Sequence, residues 1–423
     1  MTVHREASFA PFAVSDLDPF AADVLTDPYP AYARLREAGP VVWLERYGVW
    51  ATARDSVVRA ALLDHATFLS SAGTGLHDPR PSPDGGPSGS GGDSNWRSRS
   101  LLQQADPPEH TRSRHIVGSV LAPRALRSLR DTWAGLADEL VRGLVDAGRF
   151  DGIGLLAQAL PLRVFADAVG LPWEGRTENL PPFVDMAFNA LGPANELLEQ
   201  SRAAGAGALS WVVEHCYPEG LSPDGWGAQI HRLAEQEGYS RDEASALVRS
   251  LLVAGMDTTV KGLGAVLWCL ASHPEQYAAL RADPALIRPA FEEAVRLESP
   301  IQMFFRSAAR DVAVDGVQVR AGERILLLFG AANRDPRRWD DPDRFDLHRK
   351  PGGHLGFGAG IHACVGRAIA SIQAEALLKA LVRHVAAVEA AGRPRWVLNN
   401  VLRGIAELPL RLRGHSGGVH SQV

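Results

Sequence analysis

The strongest hydrophobic signal lies near the middle of the chain. Leu247, Val248, Leu251, Leu252, Val253 and Ala254 leave almost no polar face between them, the pattern of a helix buried on every side. Ser240-Arg241-Asp242-Glu243 reads as a capping box at its start, and His273-Pro274 as its stop. The spacing predicts one helix over residues 240–272, about 50 Å long at 1.5 Å per residue. Arg249, Asp257 and Lys261 interrupt the apolar run, which argues against a membrane span.

Weaker patterns flank it. Residues 28–37 read as a short helix, and residues 41–44 and 48–51 as an antiparallel pair. Residues 123–237 are mostly helical in pattern. Downstream, residues 312–319 form a hairpin around Asp315-Gly316, and residues 325–329 a further strand. Ala368, Ile369, Ile372, Ala376 and Leu377 mark another helix. The reading is a mainly α protein with small β-sheets and no internal repeat.

Length alone, 423 residues, allows two or three domains. No charge block or proline-rich linker divides the chain, so one domain over 1–423 is expected, with an N-terminal arm (1–27) and a C-terminal tail (415–423). Residues 77–95 are dominated by Gly, Ser, Pro and Asp. They read as a flexible lid loop, or else a linker. Net charge is 44 − 49 = −5, which does not favour a nucleic-acid role. Three cysteines (Cys216, Cys269, Cys364) are too few for a disulfide framework. Residues 1–27 hold no continuous apolar core, so no leader or membrane anchor is expected, and a cytoplasmic setting follows.

Chemistry concentrates at Phe357-Gly358-Ala359-Gly360-Ile361-His362-Ala363-Cys364-Val365-Gly366. Cys364 follows a glycine-rich loop and precedes an apolar helix, whose N-terminus favours a thiolate. A lone cysteine is otherwise often a small buried hydrophobe. The whole string resembles the haem-binding loop of the cytochrome P450 superfamily. The resemblance implies the single-domain P450 fold, a triangular helical prism. It also implies haem b with Cys364 as axial ligand and Phe357, Gly358 and Gly366 around it. A thiolate ligand pushes electron density onto iron and favours O–O cleavage.

Other strings fit the same family. Ala254-Gly255-Met256-Asp257-Thr258-Thr259 resembles its oxygen-activation motif, with Asp257 and Thr258 as an acid–alcohol pair able to relay protons. Threonine hydroxyls can bond preceding carbonyls and distort a helix. Glu293 and Arg296 match Glu-x-x-Arg, a structural ion pair that the family reading extends to Arg344. His110, Arg114, Arg306 and His362 match positions that hold the haem propionates. No flavin or nicotinamide fingerprint is present, so electrons would come from a ferredoxin and its reductase. Arg112, Arg114, Arg124, Arg127 and Arg130 form a basic stretch that is either its docking face or a solvated surface.

The resemblance narrows to the bacterial subfamily that oxidises para-substituted benzoic acids. It is carried by Gln104-Ala105-Asp106-Pro107-Pro108, Phe188-Asn189-Ala190, Val248-Arg249-Ser250-Leu251-Leu252 and Ala332-Asn333-Arg334-Asp335-Pro336, among other strings. It implies that Ser100 and Ser250 hold a substrate carboxylate, that Arg97 closes the entrance, and that Phe188 and Phe304 sandwich the ring. Leu191 and Val253 stand where the subfamily carries Phe and Ser. The expected activity is insertion of one oxygen atom from O2 into a small aromatic acid such as 4-methoxybenzoate, by O-demethylation or hydroxylation. The alternatives are tailoring hydroxylation of a bulkier natural product, or a haem protein that binds an aromatic ligand without turnover.

Overall fold

In the computed structural model, which describes residues 12–77 and 99–415, the central apolar run is not one helix. It forms Arg241–Gly255 and Asp257–Ser272, interrupted at Met256 (φ −82°, ψ −76°). The capping box is present: Glu243 N–H donates to Ser240 Oγ at 3.3 Å, and Ser240 N–H to Glu243 Oε2 at 2.7 Å. The break has local causes. Thr258 and Thr259 donate their hydroxyls to the carbonyls of Ala254 (2.6 Å) and Gly255 (2.8 Å) one turn back, a bond that opens helices. A Cβ on Gly255 would lie 2.3 Å from the Phe165 ring, so this ring presses directly on the backbone. By length and composition the whole segment could cross a membrane, yet most of its apolar window is buried inside the fold.

That interior is helical. Leu263, Val266, Leu267 and Leu270 are fully buried with Trp133, Leu156, Leu160 and Phe165, each large apolar side chain contributing about 1.5–3 kcal/mol by leaving water. Asp257–Ser272 packs on Ile287–Glu298, which packs on Arg367–His384, which in turn lies along Arg130–Leu144. The predicted helical region contains seven α-helices from Pro123–Arg127 to Trp226–Gln236, broken once by the strand Phe150–Asp151. The helix expected at 28–37 is Tyr29–Ala38.

A six-stranded sheet covers one side, in the order Ala13–Ser15, Val42–Leu44, Val49–Thr52, Arg324–Leu328, Met303–Ala308, Phe68–Leu69. The expected antiparallel pair is there, with Trp43 opposite Trp50. Val49–Thr52 runs parallel to Arg324–Leu328, which pairs antiparallel with Met303–Ala308. Phe329, read as strand, instead begins the short helix Phe329–Ala332. The hairpin Val312–Val314/Val317–Val319 turns through Asp315 and Gly316, both at positive φ (46° and 85°), as a tight two-residue turn requires.

The part of the N-terminal arm that is described is built into the fold: Ala13–Ser15 joins the sheet. Of the lid expected at 77–95 only His77 is described, and of the tail at 415–423 only His415. The mainly α architecture with small sheets stands.

Candidate active site

Cys364 sits between two short 3-10 turns, Leu355–Phe357 and Gly360–His362, and the helix Arg367–His384. Its N–H donates to Phe357 O at 2.8 Å. Gly358 and Gly360 take φ of 67° and 69°, a conformation glycine adopts without strain. A Cβ on Gly360 would also lie 2.3 Å from Leu62 O, so the loop is pressed against the helix Asp55–Leu63. Cys364 is accessible although protein surrounds it. Burial pushes the thiol up. The N–H groups of Gly366 and Arg367 and the guanidinium charges of Arg114 and Arg367 pull against it without reversing the shift. The helix terminus alone therefore does not make the thiolate; a bound cation at the sulfur would.

Near Cys364, two histidines and two arginines gather with few partners. The rings of His110 and His362 lie with centres 4.2 Å apart and planes tilted by 54°, and Nε2 of each is buried with no hydrogen-bond partner. Arg306 is buried and donates Nη1 to Phe305 O at 2.7 Å. Burial pushes its guanidinium down to about 10. His362 is pushed down to about 3, by burial first and then by the charges of Arg306 and His110. Burial also lowers Arg114. The carboxylate acting on this group, Asp106, already accepts from the N–H groups of Ser70 and Ser71, each at 3.0 Å. Orphaned donors and crowded positive charge are what two incoming carboxylates would satisfy. The residues present thus fit a haem with its propionates toward His110, Arg114, Arg306 and His362.

Helix Arg241–Gly255 carries Ser250. Its Oγ lies 2.9 Å from Ser100 Oγ. Ser250 donates to Ala246 O at 2.8 Å, and Ser100 accepts from Gln103 N–H at 3.1 Å. The one consistent direction is Gln103 N–H to Ser100, Ser100 to Ser250, Ser250 to Ala246. Phe188 is buried in the main core, and Leu191, Val253 and Phe304 pack against it partly exposed. Leu191 is tied down through its backbone: its carbonyl accepts from Leu76 N–H at 2.7 Å. Arg97 lies outside the described residues.

Further along the same helix line, Asp257 forms an ion pair with Lys261, four residues on. Lys261 is only 7% exposed, and its stem lies where a Cβ on Gly404 would collide with it. Both act on Asp185, whose carboxyl is raised by burial, lowered by Asn399 and Lys261, and raised further by Asp257. The sequence reading treated Lys261 only as a charge interrupting an apolar run. Its i,i+4 spacing from Asp257 was the available signal.

Beneath the cysteine loop, Glu293 and Arg296 are both fully buried and joined twice, at 2.7 and 2.8 Å. The third cation is not Arg344. Arg344 ends the turn that starts at Asp341, its side chain is exposed, and only its carbonyl accepts from Arg296 Nη2, at 3.2 Å. Arg349, where the chain returns inward, donates Nε to Glu293 Oε1 at 2.9 Å.

Residues 228–387 match the family model described as Cytochrome P450. A curated relative named Cytochrome p450 CYP199A2, from Rhodopseudomonas palustris, is 48% identical over 94% of this chain and 93% of its own. The 6-deoxyerythronolide B hydroxylase of Saccharopolyspora erythraea is 32% identical over 92% of this chain and 96% of its own. Among solved structures, cytochrome P450 CREJ in complex with (4-ethylphenyl) dihydrogen phosphate superposes with a TM-score of 0.81 at 26% identity, covering 96% of this chain and 100% of that one.

Proposed function

Since the chain belongs to the cytochrome P450 family of haem-thiolate monooxygenases, we propose that its substrate is a small para-substituted aromatic acid, such as 4-methoxybenzoate. Haem b supplies the chemistry of O2 activation. Cys364 would hold its iron, with Phe357, Gly358 and Gly366 shaping the loop, and His110, Arg114, Arg306 and His362 would hold its propionates.

The observation that carries the substrate class is the hydroxyl pair of Ser100 and Ser250. A carboxylate arriving there would accept both hydroxyl protons, each turned from its present partner. Phe188, Leu191, Val253 and Phe304 would enclose the ring. Ser250 and Asp257 are seven residues apart, on either side of the break at Met256, and in this reading a benzoate held at Ser250 carries its para substituent toward Asp257 and Thr258. Their side chains would pass protons inward, Asp257 being held by Lys261.

Electrons would come from a ferredoxin reduced by its reductase. Helix Glu109–Val120 carries Arg114 toward Cys364, and Arg112, Arg124, Arg127 and Arg130 are exposed nearby in sequence. An acidic partner is the natural complement to that charge.

A second reading is oxidation of a bulkier natural product, supported by Leu191 in place of an aromatic and by the similarity to 6-deoxyerythronolide B hydroxylase at 32% identity. The relative at 48% weighs the other way. An absorbance titration of the ferric protein with 4-methoxybenzoate decides. A low- to high-spin shift at micromolar ligand supports the aromatic-acid pocket. No shift, with an ordinary thiolate-type carbonyl complex after reduction, sinks that substrate and leaves the bulkier one.

A further inference from the structure

Glu292 is the neighbour of Glu293 in sequence but serves a different part of the molecule. Its Oε2 lies 2.7 Å from His354 Nε2 and accepts from Arg367 Nη2 at 2.8 Å. His354 Nδ1 accepts the Gly356 N–H at 3.1 Å. A nitrogen that accepts carries no proton, so the ring is neutral and donates Nε2–H to Glu292. His354 introduces the turn Leu355–Phe357, whereas Arg367 opens the helix after Cys364.

One buried carboxylate therefore ties the chain entering the cysteine loop to the chain leaving it. Phe357 fills the space between, 5.6 Å from the His354 ring and 5.2 Å from the Arg367 guanidinium. The turn has no slack: a Cβ on Gly356 would lie 2.6 Å from Val295 and 2.9 Å from His354 Nδ1. Arg367 also reaches Cys364 twice, through its backbone N–H and through its charge.

Resting on the reading that Cys364 is the iron ligand, we propose that Glu292 and Arg367 are positioning residues of that ligand. Together they hold the two flanks of its loop and set the electron density on its sulfur, with His354 as a neutral tether. The Arg367 charge draws density toward itself, and Glu292 moderates that pull by pairing with it. Neither residue touches O2 or substrate in this scheme; both act through Cys364.

The test is the ferric/ferrous reduction potential of the full-length, haem-loaded protein, read with the absorbance of its carbonyl complex. Arg367→Met leaves the sulfur richer in electrons, so its potential moves to more negative values, and Arg367→Lys recovers most of the change. Glu292→Gln leaves the Arg367 charge unopposed and moves the potential the other way. A purely structural role would move both variants in the same direction, and that result, or no movement in either, overturns the proposal. If Glu292→Gln fails to fold, the Met and Lys variants at half-exposed Arg367 decide alone: an unchanged potential in Arg367→Met overturns it. The ligand reading fails separately, if Cys364→His keeps the wild-type carbonyl spectrum.

Discussion

Ser100 and Ser250 come from segments 150 residues apart and meet through a hydroxyl–hydroxyl hydrogen bond of 2.9 Å. The contact joins the loop before helix Glu109–Val120 to the central helix. Both hydroxyl protons are committed to neighbours in this state, so an acid must bind by redirecting them.

Ser250→Ala removes one donor from that acid. Binding of 4-methoxybenzoate, followed by the spin-state shift, is expected to weaken about tenfold, the lower part of the 1–3 kcal/mol range for a lost bond. The uncharged analogue 4-methoxytoluene should bind both proteins alike. Equal weakening for both ligands would mean that the serine only packs.

Thr258→Ala is expected to leave the affinity for 4-methoxybenzoate unchanged and to divert reducing equivalents from product to peroxide, because one hydroxyl of the proton relay is lost. The check is product formed per electron pair consumed. Unchanged coupling would remove Thr258 from the relay.

Asp257→Asn leaves Lys261 as an ammonium only 7% exposed without its ion-pair partner. Removing one member of such a pair costs roughly 3 kcal/mol, read as a lower denaturation midpoint. Lys261→Met should cost less, since the Asp257 side chain is 18% exposed and keeps some water.

Arg349→Gln and Arg344→Gln separate the two candidates for the third charge at Glu293. The first breaks a 2.9 Å bond to a fully buried carboxylate and is expected to cost about 2 kcal/mol. The second removes an exposed charge and should stay within about 0.5 kcal/mol. Urea unfolding of both variants measures the difference.

Stability of the haem-free protein should fall as the pH drops from about 6.5, the usual value for a free histidine, toward about 3, where His362 gains its proton in the folded state. In that window the unfolded chain binds more protons than the folded one, so stability rises with pH. Glu292 and Asp106 lie below the usual carboxylate range in the folded state. Their contribution is present above about pH 4 and lost on further acidification. His362→Asn should flatten the slope between pH 6.5 and 5 in urea unfolding; an unchanged slope would show that another group takes up the proton.

What the sequence determined by itself is local. The cysteine loop, the capping box at Ser240 and the turn at Asp315-Gly316 are each spelled within a few residues, because backbone geometry fixes which atoms meet over such short spans. Even the sites of the central helix break were visible as Gly255, Asp257 and Thr258, poor helix formers in an apolar run. That they break the helix at Met256 is seen only in the structure, where the Thr258 and Thr259 hydroxyls bond carbonyls one turn back and the Phe165 ring lies against Gly255. Only the tertiary structure chose Arg349 over Arg344, brought Ser100 to Ser250, and tied His354 and Arg367 to one carboxylate. These are contacts between residues 50 to 150 positions apart. Residue type limits which of them can form, but the packing of whole helices decides which of them do.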